Sequence, residues 1–162
     1  MKEWLVAGAV IEGPSGILLV ANRRRDGGID WSTPGGVIDA GEEVLDGLGR
    51  EVTEETGLVV GAWDGLLYGI DVVAPDLGWH LRVEVHRAAA VDGDLVVDDP
   101  DGIVVDAAYV PVSECEARLL QAHPWVREPL SAWIGERWLA ARDFRYHVEG
   151  VDPRHLVVSA LP

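Results

Sequence analysis

The chain has 162 residues, 48% of them hydrophobic, and 28 acidic against 13 basic side chains give a formal net charge of −15. That length and apolar content suit one domain, spanning 1–162, with a sizeable core, while the charge repels polyanions such as DNA or an anionic membrane surface at long range. Cys115 stands alone, which excludes an intrachain disulfide and points to a packing role in a reducing compartment, so the expected location is the cytoplasm.

The N-terminal apolar run is broken by Glu3 and Glu12 and is too short for a membrane span, so it reads as a strand. Trp4 to Ile11 and Ile17 to Ala21 flank the turn signal Glu12-Gly-Pro-Ser-Gly16 and are expected to pair as a hairpin. The second run leads into Asn22-Arg23-Arg24-Arg25-Asp26-Gly27-Gly28, a dense basic cluster in an acidic chain. Arginine grips phosphate bidentately, and Arg23 is the favoured substrate-phosphate contact of the three.

A helix is expected from Glu43 to Thr56, entered through the tight turn Pro34-Gly35-Gly36, which exposes a backbone carbonyl, and closed by Gly57 as a left-handed cap. Leu45, Leu48 and Val52 form its apolar seam. Gly47 and Gly49 each weaken a helix interior by about 1 kcal/mol relative to alanine, which suggests close backbone approach. Beside the seam, Glu51, Glu54 and Glu55 fall at i, i+3 and i+4 on one face. Like charges that close are unfavourable unless a cation neutralises them, and all-oxygen ligands favour a hard ion, Mg²⁺ first and Mn²⁺ second.

Gly36, Glu42, Arg50-Glu51-Val52, Glu54-Glu55 and Gly57-Leu58, in that spacing, resemble the complete signature of the Nudix hydrolases, and Trp31-Ser-Thr-Pro-Gly-Gly36 resembles the usual lead-in. The resemblance implies an α/β/α sandwich with a mixed sheet and a loop-helix-loop catalytic motif. It further implies metal-dependent hydrolysis of a diphosphate link in a nucleoside diphosphate joined to another group, such as a nucleoside triphosphate or ADP-ribose. By the same resemblance Glu51, Glu54 and Glu55 are metal ligands, one of them a candidate base, and the Gly36 region lends the metal a carbonyl. Arg50 pairs with an acid of the motif and orients it, and Glu42 supports the site. A non-hydrolysing nucleotide sensor on the same fold is the alternative.

Downstream, Val59 to Ile70 reads as a strand bent at Gly61 and Gly65, and Trp79 to Ala90 as another, with Pro75 in the loop between them. Pro75 lies near the place where ADP-ribose-cleaving relatives carry a proline, a hint too slight to fix the leaving group. The acids Asp92, Asp94, Asp98, Asp99 and Asp101 precede a strand from Ile103 to Val112 and are read as a solvated loop, the alternative being a loop that supplies an additional metal ligand or base, with none of the five singled out. Ser113 and Glu116 make a capping box for a short helix through Leu120, and Pro129 suits the first turn of a second helix facing inward through Leu130, Trp133, Ile134 and Trp138. Phe144 to Val148 and Leu156 to Ala160 form a terminal hairpin, so that residues 129–160 elaborate the motif-bearing unit, and its free edge is a candidate for homodimer pairing.

Overall fold

The structure, a computed structural model, describes residues 1–162. In chain order it comprises β1 (Lys2–Val10), β2 (Glu12–Gly13), β3 (Gly16–Arg23), β4 (Ile29–Ser32), β5 (Gly35–Val37), α1 (Val44–Thr56), β6 (Val59–Ala74) and β7 (Trp79–Asp92). It continues with β8 (Val104–Val110), α2 (Val112–Arg118), α3 (Pro124–Glu136), β9 (Arg142–Glu149) and β10 (Val157–Leu161). Six strands form a mixed sheet in the order β10-β9-β6-β7-β1-β5, in which β1 runs parallel to β7 and β6 parallel to β9. A second sheet is centred on β3, which pairs with β2 and β4 along one edge and β8 along the other.

Strand alternation sends the residues of the large sheet to two different cores. Val6, Val83 and Ile70 are cross-strand neighbours and face α3, where Tyr68, Val72, Tyr146 and Val148 pack with Trp125, Leu130 and Trp133. Ala7 and Ala9 point to the other face and pack with Leu48 and Val52 of α1. A helix therefore lies on each side of the mixed sheet, the expected α/β/α arrangement. No helix is long and apolar enough to cross a membrane.

Several expectations require correction. The runs around the first turn do not pair along their length: both edges of β1 are taken by β7 and β5, and after Ile11 the chain passes to the second sheet, leaving a hairpin only at Glu12–Gly13 against Gly16–Ile17. Leu45 is 38% exposed, so the seam of α1 is Leu48 and Val52 without it. Ser113 caps nothing. Helix α2 starts at Val112, and the carbonyl of Pro111 accepts from the Glu114 N–H, doing the work a side-chain cap would do. Helix α3 starts at Pro124, whose fixed φ suits the first turn, so Pro129 sits in the interior, buried, and removes one helical hydrogen bond. Trp138 lies beyond the helix, past Arg137 in a left-handed conformation, and donates its indole N–H to the Leu67 carbonyl at 2.8 Å.

The bend expected near Gly61 and Gly65 appears as repeated register shifts between β6 and β7. Pro75 opens a single 3₁₀ turn, closed by Gly78 at φ 71°, that joins the two strands. The terminal hairpin forms as β9 and β10, and β10 is an edge strand. Cys115 is buried, its thiol within 3.5 Å of the Val110 and Pro111 carbonyls, in the packing role expected of it.

Candidate active site

Strand β5 and helix α1 build the site between them. Gly36 pairs with Ala7, and Gly35 with Gly8, at the edge of the large sheet. A Cβ on Gly35 would stand 2.0 Å from the Ala7 carbonyl oxygen, and one on Gly36 would stand 2.5 Å from the carboxyl carbon of Glu51. Only glycine lets the loop lie that close to sheet and acid at once. Gly47 serves the helix in the same way, since a Cβ there would meet Glu42 Oε1 at 2.6 Å and Ile38 at 2.8 Å, whereas Gly49 faces open space. The expectation of close approach is met at Gly47 and fails at Gly49.

The acid face is organised by one guanidinium. Arg50 donates through Nε to Glu42 Oε2 and through Nη2 to Glu42 Oε1, both at 3.0 Å, and through Nη1 to Glu51 Oε1 at 3.1 Å. Glu54 Oε2 lies 3.5 Å from Nη1, and Asp39 is at 3.7 Å. The hydrogen bonds to Glu42 hold the guanidinium charged, and that same pairing, helped by the Asp39 N–H, draws the Glu42 carboxyl below its usual range.

Glu51 and Glu55 are driven the other way. Burial raises both, although Arg50 lowers Glu51 and the Gly35 N–H, 3.2 Å from Glu55 Oε2, lowers Glu55. Glu55 is 8% exposed, and with Glu51, Asp99 and Glu54 adding repulsion it is pushed up to about 8. No three acidic or histidine side chains converge at metal-ligand spacing in this arrangement. The donor set nevertheless fits a hard divalent cation: it is all oxygen, partly buried, and short of positive charge.

Asp99 and Asp101, read from the sequence as part of a solvated loop, belong to this neighbourhood. Their charges bear on Glu55 and Glu51 respectively, and Asp99 fixes the loop by accepting the N–H groups of Asp101, Ile103 and Val104 at 2.9–3.1 Å. The Asp98-Asp99-Pro100-Asp101-Gly102 turn is visible in the sequence; its partner across the fold is not. Arg23 ends β3 with its N–H donated to the Ile103 carbonyl at 2.8 Å, two residues from Asp101, and its exposed side chain makes no hydrogen bond or ion pair. Arg24, less favoured from the sequence, is held by Asp30 at 2.7 Å and by the Gln121 carbonyl.

Behind Gly35 and Gly36 a cleft of about 180 Å³ opens between the large sheet and α3, walled by apolar residues of β1 and β7, Tyr68 and Trp125, with Ser32 and Thr33 at its edge. No residue of the acid helix lines this cleft or a larger groove of about 400 Å³ across β6, β7 and β9; of the two, the smaller cleft is the one that reaches Gly35 and Gly36.

The NUDIX domain family matches residues 2–134. A Mycobacterium tuberculosis protein, provisionally described as mutator protein MutT4, is 33% identical over 130 residues, covering 75% of this chain and 51% of its own. The chain thus spans about half the length of that curated relative. The crystal structure of a MutT NUDIX hydrolase from Burkholderia pseudomallei is 27% identical with a TM-score of 0.66, covering 80% of this chain and 97% of its own. A MutT protein from Bacillus halodurans, 19% identical, shares the fold at a TM-score of 0.68 over 97% of each chain. The unbroken signature, the sandwich that carries it and the family match over most of its length place this chain in the Nudix family.

Proposed function

We propose that residues 1–162 work as one catalytic unit that hydrolyses a diphosphate link in a small nucleotide substrate of the nucleoside diphosphate-X type. The observation that carries this reading is the acid pair Glu51 and Glu55, both raised by burial and pressed against the Gly35-Gly36 turn, which itself lines a cleft. Glu51, Glu54 and Glu55, with a carbonyl from the Gly36 region, would hold a divalent cation, Mg²⁺ or else Mn²⁺. Such an ion, when bound, neutralises diphosphate oxygens and lowers the pKa of water.

The chain's own residues do the rest. Arg50, braced by Glu42, sets the direction of the Glu51 and Glu54 carboxylates. Arg23 reaches substrate phosphate from the end of β3. A carboxylate of the acid face accepts the proton as water oxygen bonds to phosphorus and the bridging P–O bond breaks, leaving two phosphate products. A reducing, cytoplasmic setting accords with the buried lone thiol of Cys115.

The test is incubation with Mg²⁺ in ¹⁸O-labelled water across nucleoside triphosphates, ADP-ribose, dinucleoside polyphosphates and sugar nucleotides. Label is expected in a phosphate product. Label found only on the sugar would overturn attack at phosphorus, and tight binding without product across the panel would make the chain a nucleotide sensor.

A further inference from the structure

The basic cluster that ends β3 divides between two places. Arg23 stands beside the Asp101 loop, whereas Arg24 lines a separate groove of about 350 Å³, together with the linker between α2 and α3 and with Arg154 from the turn between β9 and β10. That volume lies in the range of small-ligand sites.

Each of the two arginines is held by an aspartate that does not itself line the groove. Arg24 donates through Nε to Asp30 at 2.7 Å and through Nη2 to the Gln121 carbonyl. Arg154 donates through Nε and Nη2 to Asp152 at 3.1 and 3.0 Å, and this pairing draws the Asp152 carboxyl down to about 2. Nη1 of each arginine has no protein partner, so both guanidiniums are oriented and keep donors to spare. No acid shares these walls, in contrast to the groove across β6, β7 and β9, where Asp71, Glu84 and Asp143 accompany Arg82 and Arg145.

His123 completes the polar lining. Its ring lies flat on Trp125, centroids 4.2 Å apart, and burial, with the Arg24 charge adding to it, holds its imidazole below the usual range, so it is neutral at pH 7 and offers one donor and one acceptor. Trp125 belongs to the wall of the cleft behind Gly35 and Gly36, so the stack separates that cleft from this groove. Pro124, Pro153, Leu156 and Val158 supply an apolar side.

We propose that this groove binds a phosphate monoester carried on a small organic body, apart from the acid helix and independently of the hydrolysis assigned to it. A chain of net charge −15 repels anions at long range, so one settles only where guanidiniums face it with their counter-charges behind them. One arginine fork satisfies the two oxygens of a carboxylate, whereas two forks from separate segments suit the three oxygens and charge of about −1.5 to −2 of a phosphate monoester. The same chemistry serves a free ligand or the far end of a substrate whose diphosphate lies at the acid helix.

The experiment is calorimetric titration of ribose 5-phosphate, with ribose as uncharged control, into wild type, Arg154→Gln and Arg24→Gln, each with Mg²⁺ and with EDTA, alongside thermal melts. Wild type should bind ribose 5-phosphate and not ribose, equally well with and without Mg²⁺, and each variant should bind it about tenfold more weakly or worse. Arg154 is 83% exposed, so its variant should melt as wild type does and decides the matter even if Arg24→Gln loosens the fold. No binding by wild type, equal binding of ribose, or undiminished affinity in Arg154→Gln would overturn the site. Binding that requires Mg²⁺ would move the phosphate to the acid helix, overturning the groove and leaving hydrolysis intact. Binding as expected with no substrate hydrolysed would support the groove and sink hydrolysis alone. A KM raised by ribose 5-phosphate in wild type but not in Arg154→Gln would support a phosphate on the substrate, and an unchanged KM beside measured binding would support a free ligand.

Discussion

Arg50 is one cation set among four acids, Asp39, Glu42, Glu51 and Glu54, and spends its best geometry on Glu42. Glu54 is the acid it holds least tightly apart from Asp39. Glu54→Gln keeps size and helix propensity while removing one charged oxygen, so activity should fall at least about 10- to 100-fold, the loss known for groups that merely support a metal site. Circular dichroism should show the fold unchanged; turnover equal to wild type at saturating Mg²⁺ would remove Glu54 from the site. Glu55 supplies a pH prediction. Its folded pKa of about 8 lies above the ordinary 4.5, so its contribution to stability is complete below about 4.5 and lost as pH rises through about 8. The metal-free protein should melt at progressively lower temperature from about pH 5 to about pH 9, Glu55→Gln should flatten that slope, and added Mg²⁺ should offset it. A Glu55→Gln slope as steep as wild type would show that the acid is not held at a raised pKa. The spacing of these carboxylates was legible in the sequence because it lies within one helix. Their coupling to Asp99 and Asp101 was not, because it joins segments more than forty residues apart whose approach is made by β3 and β8 pairing.

Helix α1 shows where residue types do and do not report packing. Its cap and acid face follow from local rules, and Gly57 takes the expected left-handed conformation at φ 77°, its N–H bonded to the Thr53 carbonyl. Leu45, however, fits an apolar periodicity equally well whether or not anything covers it, and nothing buries it fully. The two helix glycines look alike in the sequence and differ completely in surroundings. Gly49→Ala should raise stability by roughly 0.5–1 kcal/mol, since it removes backbone entropy and meets no atom within 4 Å. Gly47→Ala should lower both stability and activity, because its methyl group pushes on Glu42 and Ile38 and so on the brace for Arg50. Urea melts of the two variants should move in opposite directions; a shift of the same sign would mean that packing around Gly47 yields freely. The misplaced α3 start has a similar origin. Two prolines, Pro124 and Pro129, compete for the first-turn position, and buried Trp125 on the first turn decides for Pro124 only once the sheet is there to cover it.

On the scale of the whole molecule the family match ends at residue 134, while the large sheet continues through β9 and β10. These two strands differ in what they hold. β9 pairs in parallel with β6 and delivers Phe144, Tyr146 and Val148 to the core beneath α3, with Val148 fully buried. β10 hangs on β9 as an edge, and Val157 and Leu161 are 58% and 41% exposed. Sequence alone misleads about these roles, since β10 is the more apolar run while β9 alternates Phe144, Tyr146 and Val148 with charged and polar residues; burial separates them. A chain ending at Gly150 should therefore fold, with a melting temperature lowered by a few degrees for the loss of an edge strand, and should keep its activity. A chain ending at Glu136 loses Trp138, whose indole bonds the Leu67 carbonyl, together with the three core side chains of β9. Removing even one large buried side chain costs about 2–5 kcal/mol, and several exceed the 5–15 kcal/mol that holds a typical domain folded. That shorter chain should be unfolded or aggregated by circular dichroism and gel filtration. Cooperative melting of the Glu136 form would show that the family-matched portion folds alone and that β9 is dispensable to its core.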